Sequence, residues 1–439
     1  MKKVVKFGGS SLASAEQFKK VGAIIRADEE RVYVVPSAPG KRDSKDTKVT
    51  DMLYGCYALA EEGKDFSKEL AAIKARYEEI IKGLELNLSL DEQFKTIEAD
   101  FKAKAGSDYA ASRGEFLNSI IMADYLGYDW IDAATVIFFD EDGEFDSEKT
   151  NKVLSKLLKE HDTAVIPGFY GAYENGKVKT FSRGGSDITG SIVARAAKAS
   201  VYENWTDVSG FLITDPRIID NPEGIDTITY RELRELSYMG ASVLHEDAIF
   251  PVRREGIPIN IRNTNKPEDA GTWIVESTCQ KSKFTITGIA GKKGFCSVSV
   301  DKAKMNSEIG FGRKVLQAFE NNGISFEHMP SGIDTMTVFV HQDEFMDKEQ
   351  KVVSEIHRLA DPDVVDIESD LALIAVVGRG MKSTRGTAGR IFSALAHADV
   401  NVKMIDQGSS ELNIIIGVDN ADFETAIKAI YDIFVTAQL

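Results

Sequence analysis

The sequence predicts an α/β protein, a mainly parallel sheet covered by helices and followed by two βαββαβ units. Three observations carry that expectation. Up to about residue 280, short apolar runs alternate with stretches of helical periodicity. Residues 57–105 are rich in Lys, Glu, Ala and Leu and form a helical excursion. From about residue 284 the rhythm changes to a pattern that occurs twice.

In the first part, "RVYVVPSAP" (31–39), "TAVIPGFYG" (163–171), "VYENWTD" (201–207) and "IPINIRNT" (257–264) read as strands. "SAEQFKKVGAIIRA" (14–27), "FLNSIIMADYLG" (116–127) and "DITGSIVARAAKA" (187–199) carry apolar residues at three- and four-residue spacing and read as helices. Alternation of this kind implies crossover connections, hence a parallel sheet covered on both faces.

In the second part, strand "GFCSVSV", helix "EIGFGRKVLQAFENNG", strands "ISFEHMPS" and "DTMTVFVH", helix "KEQKVVSEIHRLA" and strand "DVVDIES" make one βαββαβ unit. The pattern restarts at "LALIAVVG" (371–378) and ends without its last strand, while "FTITGIAG" (284–291) is a surplus strand before the first copy. The surplus strand is expected to complete the second unit, so that the first is inserted in the second. The expected domains are 1–283, 292–370, and 284–291 together with 371–439. Truncation near 370 should then destabilise both small units.

Composition sets the outer limits. A chain of 439 residues has a prior of roughly three domains at about 150 residues each. The net charge of −16 argues against a nucleic-acid surface, which needs a basic face. Three scattered cysteines fit a reducing, cytoplasmic location better than a disulfide scaffold. No HExxH or Cys/His cluster suggests a protein-built metal site, and no stretch reaches the ~20 apolar residues of a membrane helix.

Four stretches carry candidate chemistry. In "VVKFGGSSL" a strand ends in Lys6, Gly8, Gly9 and Ser10. Glycines let a ligand approach the backbone, N–H groups there could cradle phosphate oxygens, and Lys6 supplies a cation for a transferring phosphoryl group. A tight turn with a solvated lysine is the plainer alternative. Ser14 and Gln17 form an S-x-x-Q capping box for the helix that follows. In "FSRGGSDITG" Arg183 precedes two glycines, and Ser186 and Asp187 open a helix. An arginine fork suits a carboxylate, and Asp187 could orient Lys6, line up the Mg²⁺ that travels with a nucleotide, or serve only as an N-cap. In "SRGEF" Glu115 is read at a helix start, where it could grip an ammonium group. In "NWTDVSGFLITDPR" Thr206, Asp207, Asp215 and Arg217 sit at turns after strands, where open α/β sheets hold ligands. "VVGRGMKSTRG" only imitates a phosphate loop, because Met381 separates Gly380 from Lys382.

Taken in order, these stretches resemble the aspartokinase family. The K-F-G-G-[ST]-S start is present as Lys6 to Ser11, with "SRGE", "FSRGGSD", "WTDVSG…TDPR", "GASVLH" and "IPINIRNT" following, and the tail resembles tandem ACT regulatory domains. The resemblance implies an amino-acid-kinase α/β/α sandwich that phosphorylates the β-carboxylate of L-aspartate with ATP and Mg²⁺. It implies that Lys6 and Asp187 serve the transfer, and that Gly8, Gly9 and Ser10 with Thr206, Asp207, Asp215 and Arg217 contact ATP. Thr50, Glu115, Arg183 and Ser186 would hold aspartate. Met305, Ser331 and Asp334 would contact an amino-acid effector, lysine by preference over threonine, and the ACT units would pair subunits into a dimer or tetramer. Two residues depart from the family pattern: Ser242 replaces a lysine, and Leu212 an aromatic. The rival readings are another kinase of the same fold and an amino-acid sensor with an inactive kinase domain.

Overall fold

Lys3–Phe7 carries Val4, Val5 and Phe7 fully out of solvent, and a strand so apolar on both faces belongs in the middle of a covered sheet. The computed structural model, which describes residues 1–182, 184–241, 244, 246–279 and 282–437, puts it there. Lys3–Phe7 pairs in parallel with Arg31–Pro36 on one side and Val201–Thr206 on the other. Outward from Arg31–Pro36 follow Ala164–Val165 and Asp129–Trp130. Outward from Val201–Thr206 follow Ile259–Asn263, then antiparallel Thr272–Val275, then Thr227–Thr229. A second small sheet holds Phe138–Phe139, Tyr170–Tyr173 and Val178–Thr180.

The run "TAVIPGFYG" is therefore two strands, not one. Ala164–Val165 joins the large sheet and Tyr170–Tyr173 the small one, with Phe169 turning the chain at φ +80°. The helical excursion is Val49–Glu61, Ser67–Gly83 and Asp91–Lys102, packed into one apolar cluster with Ser107–Leu126. Ser14 caps Ala15–Arg26 by accepting from Gln17 N–H at 3.4 Å, but the Gln17 amide donates to Asn265 at 3.3 Å instead of closing the box.

The C-terminal part forms a six-stranded sheet in which two strands are shared. Gly288–Asp301 and Val364–Val377 each run 14 residues without a loop and pair antiparallel along their length. Their outer halves, with Thr335–His341 and Phe326–His328, make one βαββαβ sheet. Their inner halves, with Asn413–Asp419 and Met404–Asp406, make the other. Gly294 at φ +90° and Asp370 at φ +60° mark the crossing points. Helices Phe311–Asn321 and Glu349–Ala360 cover the first unit's core, and Thr387–His397 and Phe423–Tyr431 belong to the second.

By packing, the chain falls into two compact units. The first holds Met1–Phe211, Gly224–Tyr230 and Val243–Thr278. The second holds Leu212–Glu223, Arg231–Ser242 and Cys279–Leu439. Among the described residues no helix is long and apolar enough to cross a membrane.

Candidate active site

Lys6 is the last residue but one of the central strand, with its side chain 10 % exposed, and its Nζ meets Asp187 Oδ1 at 2.6 Å. Asp187 lies in the first turn of Gly185–Ala197, whose N-cap is Gly184 in the left-handed region at φ +56°. Asn204, buried on the neighbouring strand, closes the triangle: its Nδ2 donates to Asp187 Oδ1 at 2.8 Å and its Oδ1 accepts from Lys6 Nζ at 3.5 Å. No sequence motif singled out Asn204. A polar residue inside "VYENWTD" was the available signal, since asparagine is depleted in strands.

Past Lys6 the chain turns through Gly9–Leu12, a short 3₁₀ segment. Gly8 N–H is bonded to Trp205 O at 3.0 Å and Ser11 N–H to Gly8 O at 3.0 Å, which leaves the N–H groups of Gly9 and Ser10 for an incoming anion. Gly8 and Gly9 do different work. A Cβ on Gly9 would come within 2.9 Å of Ala38 O, because the 37–40 loop packs backbone to backbone against it. A Cβ on Gly8 would meet only ordinary contacts, the Lys6 Nζ among them at 3.7 Å, so its lack of a side chain keeps the face beside Lys6 open.

Glu115 corrects the expectation that "SRGEF" opens a helix. The helix is Ser107–Leu126, so Glu115 lies two turns inside it, where the terminal dipole no longer acts. Its surfaces are buried nearly all round, which removes the polar face that would have revealed the true start. Burial pushes the Glu115 carboxyl up to about 8, opposed by the Ala38 N–H and the Lys6 charge. Its Oε2 has no protein partner. One turn on, Asn118 donates to Ser37 O at 2.6 Å and also leaves its Oδ1 without one. Two unsatisfied buried acceptors on one helix face are costly unless a ligand donor meets them. Thr50, in the first turn of Val49–Glu61, lies against Gly114 beside Glu115.

Ser186 is buried against Gly168, and Gly185 against Phe169; a Cβ on either glycine would come within 2.6 or 2.4 Å of those neighbours. Phe169 holds its positive φ although it is not glycine, a strain that surrounding packing must sustain. A cavity of about 1020 Å³ opens along Phe169, Ser182 and Ile188. Thr206 ends the strand that pairs with Lys3–Phe7, and exposed Asp207 follows it.

The first unit thus brings together Lys6, Gly8, Gly9, Ser10, Thr50, Glu115, Ser186, Asp187, Thr206 and Asp207. Arg183 and Ser242 lie outside the described residues. Asp215 and Arg217 belong to the second unit, where Arg217 donates to both Asp215 oxygens and holds that carboxyl below its usual range. Leu212 is exposed there. Met305 and Asp334 also belong to the second unit, where Asp334 Oδ1 accepts from Lys304 N at 2.8 Å and its carbonyl accepts from Lys302 N at 2.8 Å. Ser331, on the loop before strand Thr335–His341, forms an antiparallel bridge with Met336 of that strand.

Residues 1–263 match the amino acid kinase family and residues 374–434 an ACT domain. The chain is 43% identical to aspartokinase 3 of Bacillus subtilis over 98% of each chain. It is 30% identical to the chloroplastic aspartokinase 1 of Arabidopsis thaliana, over 98% of this chain and 80% of that one. Its structure matches the aspartate kinase of Clostridium acetobutylicum with a TM-score of 0.91 and 51% identity, covering 99% of this chain and 100% of that one. A match to E. coli aspartokinase III in complex with aspartate and ADP, at 24% identity and a TM-score of 0.74 over 99% of each chain, shows the fold alone. The glycine turn, the Lys6–Asp187 pair and the shared-strand tail thus sit in a chain similar along its whole length to aspartate kinases, and it belongs to the amino acid kinase family as one of them.

Proposed function

We propose that this chain transfers the γ-phosphoryl group of ATP to the β-carboxylate of L-aspartate, the step that opens the route to lysine, threonine and methionine, and that it does so in the cytoplasm. The observation that carries the residue roles is the Lys6–Asp187–Asn204 triangle at the end of parallel strands, facing the open N–H groups of Gly9 and Ser10. Lys6 neutralises charge on the transferring group, and the turn cradles the phosphates with Thr206 and Asp207 at its flank. Glu115 takes the substrate ammonium, with Thr50 and Ser186 beside it and Arg183 as the carboxylate fork.

The donor set beside Lys6, one carboxylate and one amide, fits a magnesium ion that arrives on the nucleotide phosphates rather than one caged by the protein. Such an ion would spread charge over the phosphate oxygens. The attacking carboxylate is ionised at neutral pH, since its ordinary pKa is about 4. It therefore needs no general base, and positioning two anions in line is the whole task.

In this reading the domains divide at 1–283, 292–370, and 284–291 with 371–439. Asp215 and Arg217 are the remaining candidates for contact with ATP. The ACT units join two or four subunits, supported by the exposed edge strand Phe326–His328, whose Phe326 is half-exposed. An amino acid, lysine first among those to be tried, binds at Met305, Ser331 and Asp334, supported by the junction of their loops.

Purified protein with ATP, Mg²⁺ and L-aspartate, trapped with hydroxylamine, is expected to give aspartyl hydroxamate that lysine suppresses. Formation that threonine but not lysine suppresses would replace the effector. No hydroxamate from folded protein would overturn the reaction. Lys6→Ala is expected to cost on the order of 100-fold in kcat; a loss of tenfold or less would make Lys6 peripheral.

A further inference from the structure

We infer that Asn204 is a positioning residue for phosphoryl transfer, holding Asp187 so that Lys6 stays available to the phosphate. The inference rests on the role proposed for Lys6 and Asp187.

Asn204 is 3 % exposed, on the strand between Lys3–Phe7 and Ile259–Asn263, with its Cα in register with Lys6 and Ile261. Asparagine is a poor strand residue and costly to bury, so its polar atoms need fixed partners there. Charge dictates which way its amide faces. The Asp187 carboxylate can only accept and the Lys6 ammonium can only donate, so the NH₂ group must face Asp187 and the oxygen Lys6. The 2.8 Å and 3.5 Å contacts have that sense.

The same strand grips Asp187 a second time. Tyr202, on the same face as Asn204, donates its hydroxyl to the Asp187 carbonyl at 3.0 Å. Gly190 makes room for that ring, since a Cβ there would come within 2.5 Å of the Tyr202 hydroxyl. Two donors from one strand thus fix both ends of Asp187.

The consequence for Lys6 follows from shared acceptors. Asp187 Oδ1 accepts from both the ammonium and the amide, and a second donor weakens the hold of the carboxylate on the first. Lys6 makes its pair with Asp187 yet keeps a hydrogen to offer beyond it. Without the amide, the carboxylate is free to rotate and to draw Lys6 fully onto itself. Since the amide is neutral, it adds no charge that would compete for phosphate. The charged and titratable groups around this point are Lys6 on the central strand, Asp187 on its helix, Tyr202 on the Asn204 strand, and Glu115, which senses the Lys6 charge from helix Ser107–Leu126.

Two near-isosteric variants test this. Asn204→Leu is expected to lower kcat by roughly ten- to a hundredfold, with KM for aspartate within about twofold of wild type. Asn204→Asp sets a second carboxylate beside Asp187, so one of the two takes up a proton as pH falls. Its kcat relative to wild type is expected to rise steadily from pH 9 to pH 6. A kcat of Asn204→Leu within about twofold of wild type, a KM that rises in step with the loss, or an Asn204→Asp ratio that is flat across pH would overturn the assignment. If Asn204→Leu fails to melt cooperatively, Asn204→Asp decides alone. Lys6→Ala and Asp187→Asn run beside them: if those two keep full kcat, the proposed site itself fails; if they lose it while the Asn204 variants do not, only the Asn204 role fails.

Discussion

Glu115 is a carboxylate buried where its ionised form is disfavoured. Its carboxyl is raised from 4.5 to about 8 by burial, so the ligand-free protein holds a proton there at pH 7. An ammonium group beside Oε2 favours the ionised form, so aspartate binding should expel close to one proton at pH 7 and progressively fewer above pH 8. Calorimetry at pH 7 in buffers of different ionisation enthalpy measures that number, and Glu115→Gln should reduce it to near zero. The same shift has a stability sign. The folded state keeps the proton to about pH 8 while the unfolded chain loses it near 4.5, so ligand-free stability declines as pH rises through that window. Glu115→Gln should therefore gain on wild type in denaturant midpoint between pH 5 and pH 8; a constant difference would show that Glu115 is ionised throughout. Sequence alone named Glu115 and Lys6, because each stands in a distinctive local string. It missed Asn204 and Asn118, whose meaning lies in partners 198 and 81 positions away.

The Gly8–Ser11 turn is an element shaped by another element. The 37–40 loop lies so close that a Cβ on Gly40 would sit 2.5 Å from the Gly9 carbonyl carbon and 2.8 Å from Ser10 N. Backbone cannot step aside as a flexible side chain can, so Gly40→Ala must push the two loops apart. The expected cost is about 1–3 kcal/mol of stability, as for other overpacked sites. KM for ATP should rise on the order of tenfold, since the N–H cradle moves off the Lys6 axis. Equilibrium unfolding and ATP titration of the rate check both, and an unchanged KM would mean the phosphates do not sit on this turn. Gly40 also shows what pattern reading reaches at this scale. "RVYVVP" announced its strand by apolar continuity, but nothing local says that the loop after it must touch the loop after Lys3–Phe7. The start of helix Ser107–Leu126 escaped for the related reason that burial on nearly all sides erases periodicity.

At the scale of the whole chain, sequence order and packing part company. The repeated tail was legible by counting strands, because a surplus strand at 284–291 precedes two copies of one pattern, and Gly288–Asp301 runs through both sheets. The assignment of Leu212–Glu223 and Arg231–Ser242 to the second unit had no such signature. Those stretches are held by strand Gly288–Asp301 and by the turn after Val364–Val377. Ile213 O accepts from Ile289 N at 2.7 Å, and the Leu236 side chain lies where a Cβ on Gly288 would meet it at 2.7 Å. Fully buried Glu232 accepts from Thr287 at 2.6 Å and from Arg379 at 3.0 Å. A fragment of residues 1–283 keeps these side chains and removes what covers them. Ile213 and Leu236 are each worth about 1.5–3 kcal/mol when buried, and stripping one partner from a buried ion pair costs about 3–5 kcal/mol. Together these rival the ~5–15 kcal/mol by which a typical domain is stable. The fragment should therefore aggregate or melt without cooperativity, although it contains every described residue of the Lys6 site. Co-expression with residues 279–439 should restore solubility, because that piece carries Thr287, Gly288, Ile289 and Arg379. A soluble, cooperatively melting 1–283 fragment would mean that the two stretches repack within the first unit, and that the second unit is not needed to hold them.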